Sequence, residues 1–211
     1  MDWIHYLIYA HAGFGGMALL SGLITISVKK GGIWHKKSGK IFFLSMLFSA
    51  FSALIVSLLP GHESAFLFCV GVFSTYFLIG GYRSLKFKNE QVNLSLDRLL
   101  AWIIIFTGFG MITYPIFLSN SINIVLSVFG FVSIIFGFQD LRLYNNKEKL
   151  KNSWLKGHLG KMMGAYISAT TAFVVVNQLL PGVWGWFAPS IPGTFYIVYW
   201  MRKVEGIIIK N

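Results

Sequence analysis

Four residues of this sequence, His35, Asp97, Asp140 and His158, are of the types that bind metal ions or move protons, and all four flank long apolar runs. Two neutral imidazoles and two carboxylates are a suitable ligand set for a divalent, zinc-like ion. An ion held there with one coordination position open would activate water, and Asp97 or Asp140 would serve as the catalytic base. A lipid or other amphiphile entering from the cytoplasmic leaflet is the substrate such a site would meet. No sequence-local metal motif supports this set. The chain has neither His-Glu-x-x-His nor paired cysteines, and its single cysteine, Cys69, precludes an intramolecular disulfide. The site therefore depends on helices that bring distant residues to one depth.

Position within those helices sets the electrostatics of each group. Asp97 follows Ser95 in the expected first turn of a helix, where a carboxylate complements the helix dipole. Asp140 falls near the C-terminal end of the next helix, where the dipole opposes it, so it requires a cation, a metal or a proton. His158 is expected to open the sixth helix, whose positive end keeps the ring neutral, and His35 to precede the second among Lys36, Lys37 and Lys40. The competing explanation is a salt-bridge network in which Arg83, Arg98, Arg142 or Lys161 neutralises the two aspartates. His11 is expected roughly 12 Å into the first helix from Trp3, deep enough to need a partner such as Asn177 or a tyrosine. His5 and His62 lie at the opposite interface, where histidine costs little.

The elements that must carry these residues are membrane helices. Of 211 residues, 55% are hydrophobic and only 12% charged, and the mean hydropathy is +0.66, too apolar for a water-exposed shell. Runs between charges give an all-α bundle of seven spans at 4–28, 40–59, 65–86, 97–118, 121–143, 158–180 and 186–203, in one domain. Pro115 with Ser119, Asn120 and Ser121 breaks one double-length run into a hairpin, and Pro181-Gly182, Pro189 and Pro192 make the seventh span short or kinked. The run beginning at Trp3 is too long for a signal-peptide core and lacks a basic leader, so it should persist as a helix. In this parse all 18 Lys and Arg fall on one side, leaving Asp2 and Glu63 on the other. The positive-inside rule then puts the N-terminus outside and the C-terminus in the cytoplasm. The formal charge of +11 thus records orientation in a bacterial cytoplasmic membrane, with lipids as partners, rather than affinity for nucleic acid. The stretch from Tyr144 to Lys156 is expected to be a charged connector.

Small residues at helical spacing supply packing faces: His11, Gly15, Ala18 and Gly22 on the first helix, Gly164, Ala165, Ser168, Ala169 and Ala172 on the sixth. Several elements together, His11-x-x-x-Gly15, Trp34-His35-Lys36-Lys37-Ser38-Gly39-Lys40, Asp97, Asp140, Trp154-Leu155-Lys156-Gly157-His158 through Met162 to Thr171-Ala172-Phe173, and Trp186 with Pro189, resemble a family of multi-pass bacterial membrane proteins catalogued as a domain of unknown function. The resemblance covers nearly the whole chain. It implies a compact seven-helix membrane protein and the same His and Asp positions, and it implies no particular activity. His35 with Gly39 four residues on also resembles cytochrome b561-like helices, which raises a second function. In that reading His35 and His158 are the two axial ligands of a b-type haem, or the site serves a quinone. A transporter, receptor or assembly subunit, with His11 and the inner cluster on a proton or substrate path, is the third.

Overall fold

The computed structural model describes residues 3–89 and 91–208; Asp2 and Lys210, both used in the charge argument, lie outside them. The described residues form helices and no strands: α1 (Trp3–Ser27), α2 (Ile33–Val56), α3 (Ala65–Ser84), α4 (Ser95–Ser119), α5 (Ile124–Tyr144), α6 (Lys147–Val176), the single-turn α7 (Trp184–Phe187) and α8 (Ser190–Ile208). Six of them, α1 to α6, are long and apolar enough to cross a membrane. The chain is therefore a helical, multi-pass membrane protein by length and composition. The stretch expected to be a seventh span is divided at Pro189 into α7 and α8, and the 19 residues of α8 include Arg202, Lys203 and Glu205.

Local chemistry explains most helix ends. Ser64, Asn123 and Asn146 cap α3, α5 and α6 by accepting the N–H of Leu67, Leu126 and Lys149 at 3.2, 3.0 and 2.9 Å. The turn expected after Pro115 forms where α4 stops at Asn120, which takes the left-handed conformation (φ 48°) common at helix C-termini. Two of the six long helices start seven or more residues from the sequence reading. α2 begins at Ile33 rather than 40, so His35 lies inside its first turn. α6 begins at Lys147 rather than 158, and the expected connector from Tyr144 to Lys156 is mostly helix. Its first three turns are charged and extend beyond the apolar segment, which hydropathy cannot register because it measures lipid solubility and not backbone hydrogen bonding.

α3 and α6 pack together at the centre, flanked by the α1–α2 hairpin on one side and by α4–α5 on the other. The small-residue face expected on α1 is present: Ala18 is fully buried, Gly15 lies against Ser49 of α2, and Gly22 lies under the Tyr166 ring of α6. Between α4 and α5 the approach is closest. A Cβ on Gly108 would stand 2.6 Å from the Gly130 carbonyl oxygen, and a Cβ on Gly130 would stand 2.6 Å from that of Gly108. α8 lies along α6, with Gly193 against Ile167 and Met201 against Gly160. Its far end is tied to the start of the bundle by Lys30, whose ammonium donates to the Thr25 and Ile26 carbonyls at the end of α1 and lies over the Tyr196 and Trp200 rings at 5.5 and 5.3 Å. Burial lowers the pKa of that ammonium. The outward faces are apolar, with Leu20, Phe106, Phe117 and Phe131 all exposed, as contact with lipid requires.

Candidate functional site

One end of the bundle collects His35, Arg83, Asp97, Asp140, His158 and Lys161, as sequence reasoning expected, but they are distributed as separate pairs. Asp97, whose side chain is wholly buried, faces Arg83 from the last turn of α3. The guanidinium holds it with two parallel bonds, Nε to Oδ1 at 2.8 Å and Nη2 to Oδ2 at 2.5 Å, and Nη2 also donates to the Asn93 carbonyl at 2.7 Å. This is the bidentate geometry that suits arginine. The first-turn position of Asp97 on α4 is as expected, and its partner is the cation of the adjoining helix.

Asp140 obtains the cation that its position demanded. Lys161 of α6 donates to its Oδ2 at 2.5 Å, and the same oxygen accepts the hydroxyls of Tyr76 at 2.6 Å and Tyr144 at 3.0 Å. Lys161 also lies over the Tyr76 ring, 5.1 Å from its centroid. A buried carboxylate at the unfavourable end of its own helix thus gathers one charged and two neutral donors. Sequence reasoning missed both tyrosines. The signal for Tyr144 was its spacing of four residues from Asp140 on one helix, which puts the two on one face; for Tyr76 no comparable signal exists.

The expected convergence of His35, Asp97, Asp140 and His158 around one ion does not occur. Among the described residues no group of three or more His, Cys, Asp and Glu side chains is placed to share a metal. The physical reason is that both carboxylates are already engaged by Arg83 and Lys161, the salt-bridge arrangement that competed with the metal set.

The two histidines remain. His158 is the twelfth residue of α6, not its first, so the helix dipole does not govern the ring. Its Nδ1–H donates to the Gly81 carbonyl of α3 at 2.9 Å, and the His35 Nδ1–H donates to the Thr25 carbonyl of α1 at 3.2 Å. Each bond fixes a tautomer, and in neutral rings it leaves the Nε2 lone pair available. Gly39, one turn after His35, packs against Thr25 Cγ2 at the α1–α2 contact.

His11 and Asn177 do not meet. The His11 Nδ1–H donates to the Ser49 carbonyl at 3.0 Å, with the Ser52 hydroxyl 3.2 Å away, so its partner is α2 rather than Asn177 or a tyrosine. Asn177 is exposed at the end of α6, where its amide donates to the Phe173 carbonyl at 2.8 Å. No family model matches the chain, and neither a curated protein nor a solved structure matches it.

Proposed function

We propose that this chain is a multi-pass protein of the bacterial cytoplasmic membrane in which His35 and His158 ligate the iron of a b-type haem, making it a membrane redox protein. The observation that carries this reading is the imidazole pair: two rings on α2 and α6, each oriented by a main-chain carbonyl through Nδ1. A haem bound here would be held by these two imidazoles. A zinc-like ion requires three or four protein ligands or an equivalent set, and Asp97 and Asp140 are engaged elsewhere. Exposed Lys36, Lys37 and Lys40 beside His35 supply cations for the propionates. Bound haem would supply one-electron chemistry, while the chain's own residues hold and orient it. Membership of the family that the sequence resembles is part of the same proposal, as is a seven-span topology with an outer N-terminus.

The test is the visible spectrum and elemental analysis of the detergent-purified protein. A Soret band with one iron per chain, lost in both His35→Ala and His158→Ala, is the expected result. Zinc without a Soret band would restore the hydrolytic reading despite the engaged carboxylates. Absence of both haem and metal would favour transport, for which the buried Asp140–Lys161 pair is the motivating observation. Orientation is tested separately: a cysteine placed near Asn146 should be shielded from an impermeant reagent in right-side-out vesicles.

A further inference from the structure

A second feature of the same end lies away from the histidines. The loop from α3 to α4 borders an open surface cavity of about 470 Å³ lined by Arg83, Lys86, Lys88, Asn89 and Asn93, with Leu85 and Val92. The first half of the loop is anchored, because Phe87 is buried against Tyr144 and Leu150 in a small core of its own. Its lining presents donors. The Asn89 side-chain oxygen is taken by the Gln91 N–H at 3.2 Å and that of Asn93 by the Ser95 N–H at 2.8 Å, which leaves both amide NH₂ groups for another acceptor. The nearby carboxylate of Asp97 is fully occupied by Arg83. Lys86 and Lys88 are exposed, Lys88 being steadied over the Trp154 ring at 5.7 Å. None of the described residues lining the cavity is acidic.

We propose that this cavity binds the phosphate of an anionic phospholipid headgroup. Ammonium groups and amide donors are suited to a phosphodiester, and a basic pocket between spans at the membrane surface is a recurring lipid site. The source is lipid rather than a soluble phosphate because the cavity adjoins the end of one span and the start of the next. From its Asn93 wall an exposed apolar stripe, Leu96, Leu99, Ile103 and Phe106, runs down α4 where an acyl chain would lie.

The experiment is native mass spectrometry of the full chain in detergent, titrated with phosphatidylglycerol and phosphatidylcholine of identical acyl chains. Wild type should prefer phosphatidylglycerol, and Lys86→Gln with Lys88→Gln should weaken that lipid by about fivefold per lysine, about thirtyfold together, without changing phosphatidylcholine binding. Arg202→Gln with Lys203→Gln, an exposed pair that the haem reading does not use, should change the preference by less than about twofold. Equal binding of the two lipids by wild type, or an equal loss in the Arg202/Lys203 variant, would overturn the proposal. So would complete displacement of phosphatidylglycerol by inorganic phosphate at fixed ionic strength, which would assign the cavity to a soluble anion. If the double variant melts early, crosslinking of wild type by a headgroup-labelled phosphatidylglycerol decides: label must fall within 85–94, and label confined to other segments refutes the site.

Discussion

The α4–α5 and α3–α6 interfaces rely on the same packing device and differ in everything added to it. Between α4 and α5 the approach is glycine on glycine, Gly108 against Gly130, with Gly137 against the Ala101 carbonyl. The hydroxyl of Ser133 is buried there without a hydrogen-bond partner, among the described residues. Between α3 and α6 glycines again admit the partner, Gly81 to Met162 and Gly164 to Phe77. This second interface also carries the Ser74–Ser168 bond and the His158–Gly81 bond, and Tyr76 meets Lys161 at Asp140. Along the Gly108–Gly130 contact these two helices approach through small residues and dispersion, with no side-chain hydrogen bond between them among the described residues there. The polar load on α6 is therefore more than association requires, which is the physical ground for placing function there.

The comparison is broken most severely at the ion pair. Lys161→Met leaves Asp140 buried with two tyrosine hydroxyls and no cation, and should destabilise the bundle by about 3–5 kcal/mol. Adding Asp140→Asn should restore most of that loss, because the amide oxygen still accepts from Tyr76 and Tyr144 while the charge is gone. Equilibrium unfolding in mixed micelles reads both variants. A Lys161→Met protein as stable as wild type would mean that the carboxyl is not held as an anion by that lysine.

At the apolar interface the expected effect is smaller and steric. Gly108→Ala sets a methyl against the Gly130 carbonyl, which is backbone and cannot turn aside, so α4 and α5 must separate at a cost of about 1–3 kcal/mol. At Gly110, two residues on, a Cβ would meet nothing within 4 Å, and Gly110→Ala should be neutral or stabilising by up to about 1 kcal/mol through helix propensity. Thermal melts of the two variants in one detergent give the contrast directly. Equal destabilisation by both would show that helix packing around Gly108 is looser than the contact distances require.

What the sequence disclosed and what it hid follow the same division. Hydrophobic runs located the six long helices because lipid exposure is written residue by residue, and Ser119-Asn120-Ser121 marked the α4–α5 turn, whereas Pro115 lies inside α4. The small-residue face of α1 was legible for the same reason. The dipole argument at Asp140 correctly demanded a cation, yet only the packing of α5 on α6 selects Lys161 over Arg142, two residues from Asp140. The start of α6 was misplaced by eleven residues (158 expected, Lys147 observed) because its first turns are helical but not apolar; the Asn146 cap was the overlooked cue. With that start went the dipole argument for His158. Pairing across helices, as in Arg83 with Asp97 or Tyr76 with Asp140, has no periodic signature in one sequence.

The finest difference between the two interfaces is a single hydroxyl contact. Ser74 and Ser168 are both buried and their oxygens are 2.6 Å apart, whereas Ser133 is buried and solitary. In a membrane the unfolded reference also finds partners for hydroxyls, so the bond should be worth about 0.6 kcal/mol despite its burial. A double-mutant cycle with Ser74→Ala and Ser168→Ala isolates that coupling from the loss of each oxygen's other contacts. Ser133→Ala should be neutral or slightly stabilising, since it removes a buried polar atom that has no bond to lose. A coupling indistinguishable from zero would mean that the α3–α6 hydroxyls act only as small residues, like Ser133. The polar surplus on α6 would then reside entirely in His158 and Lys161, at the end where the proposed site lies.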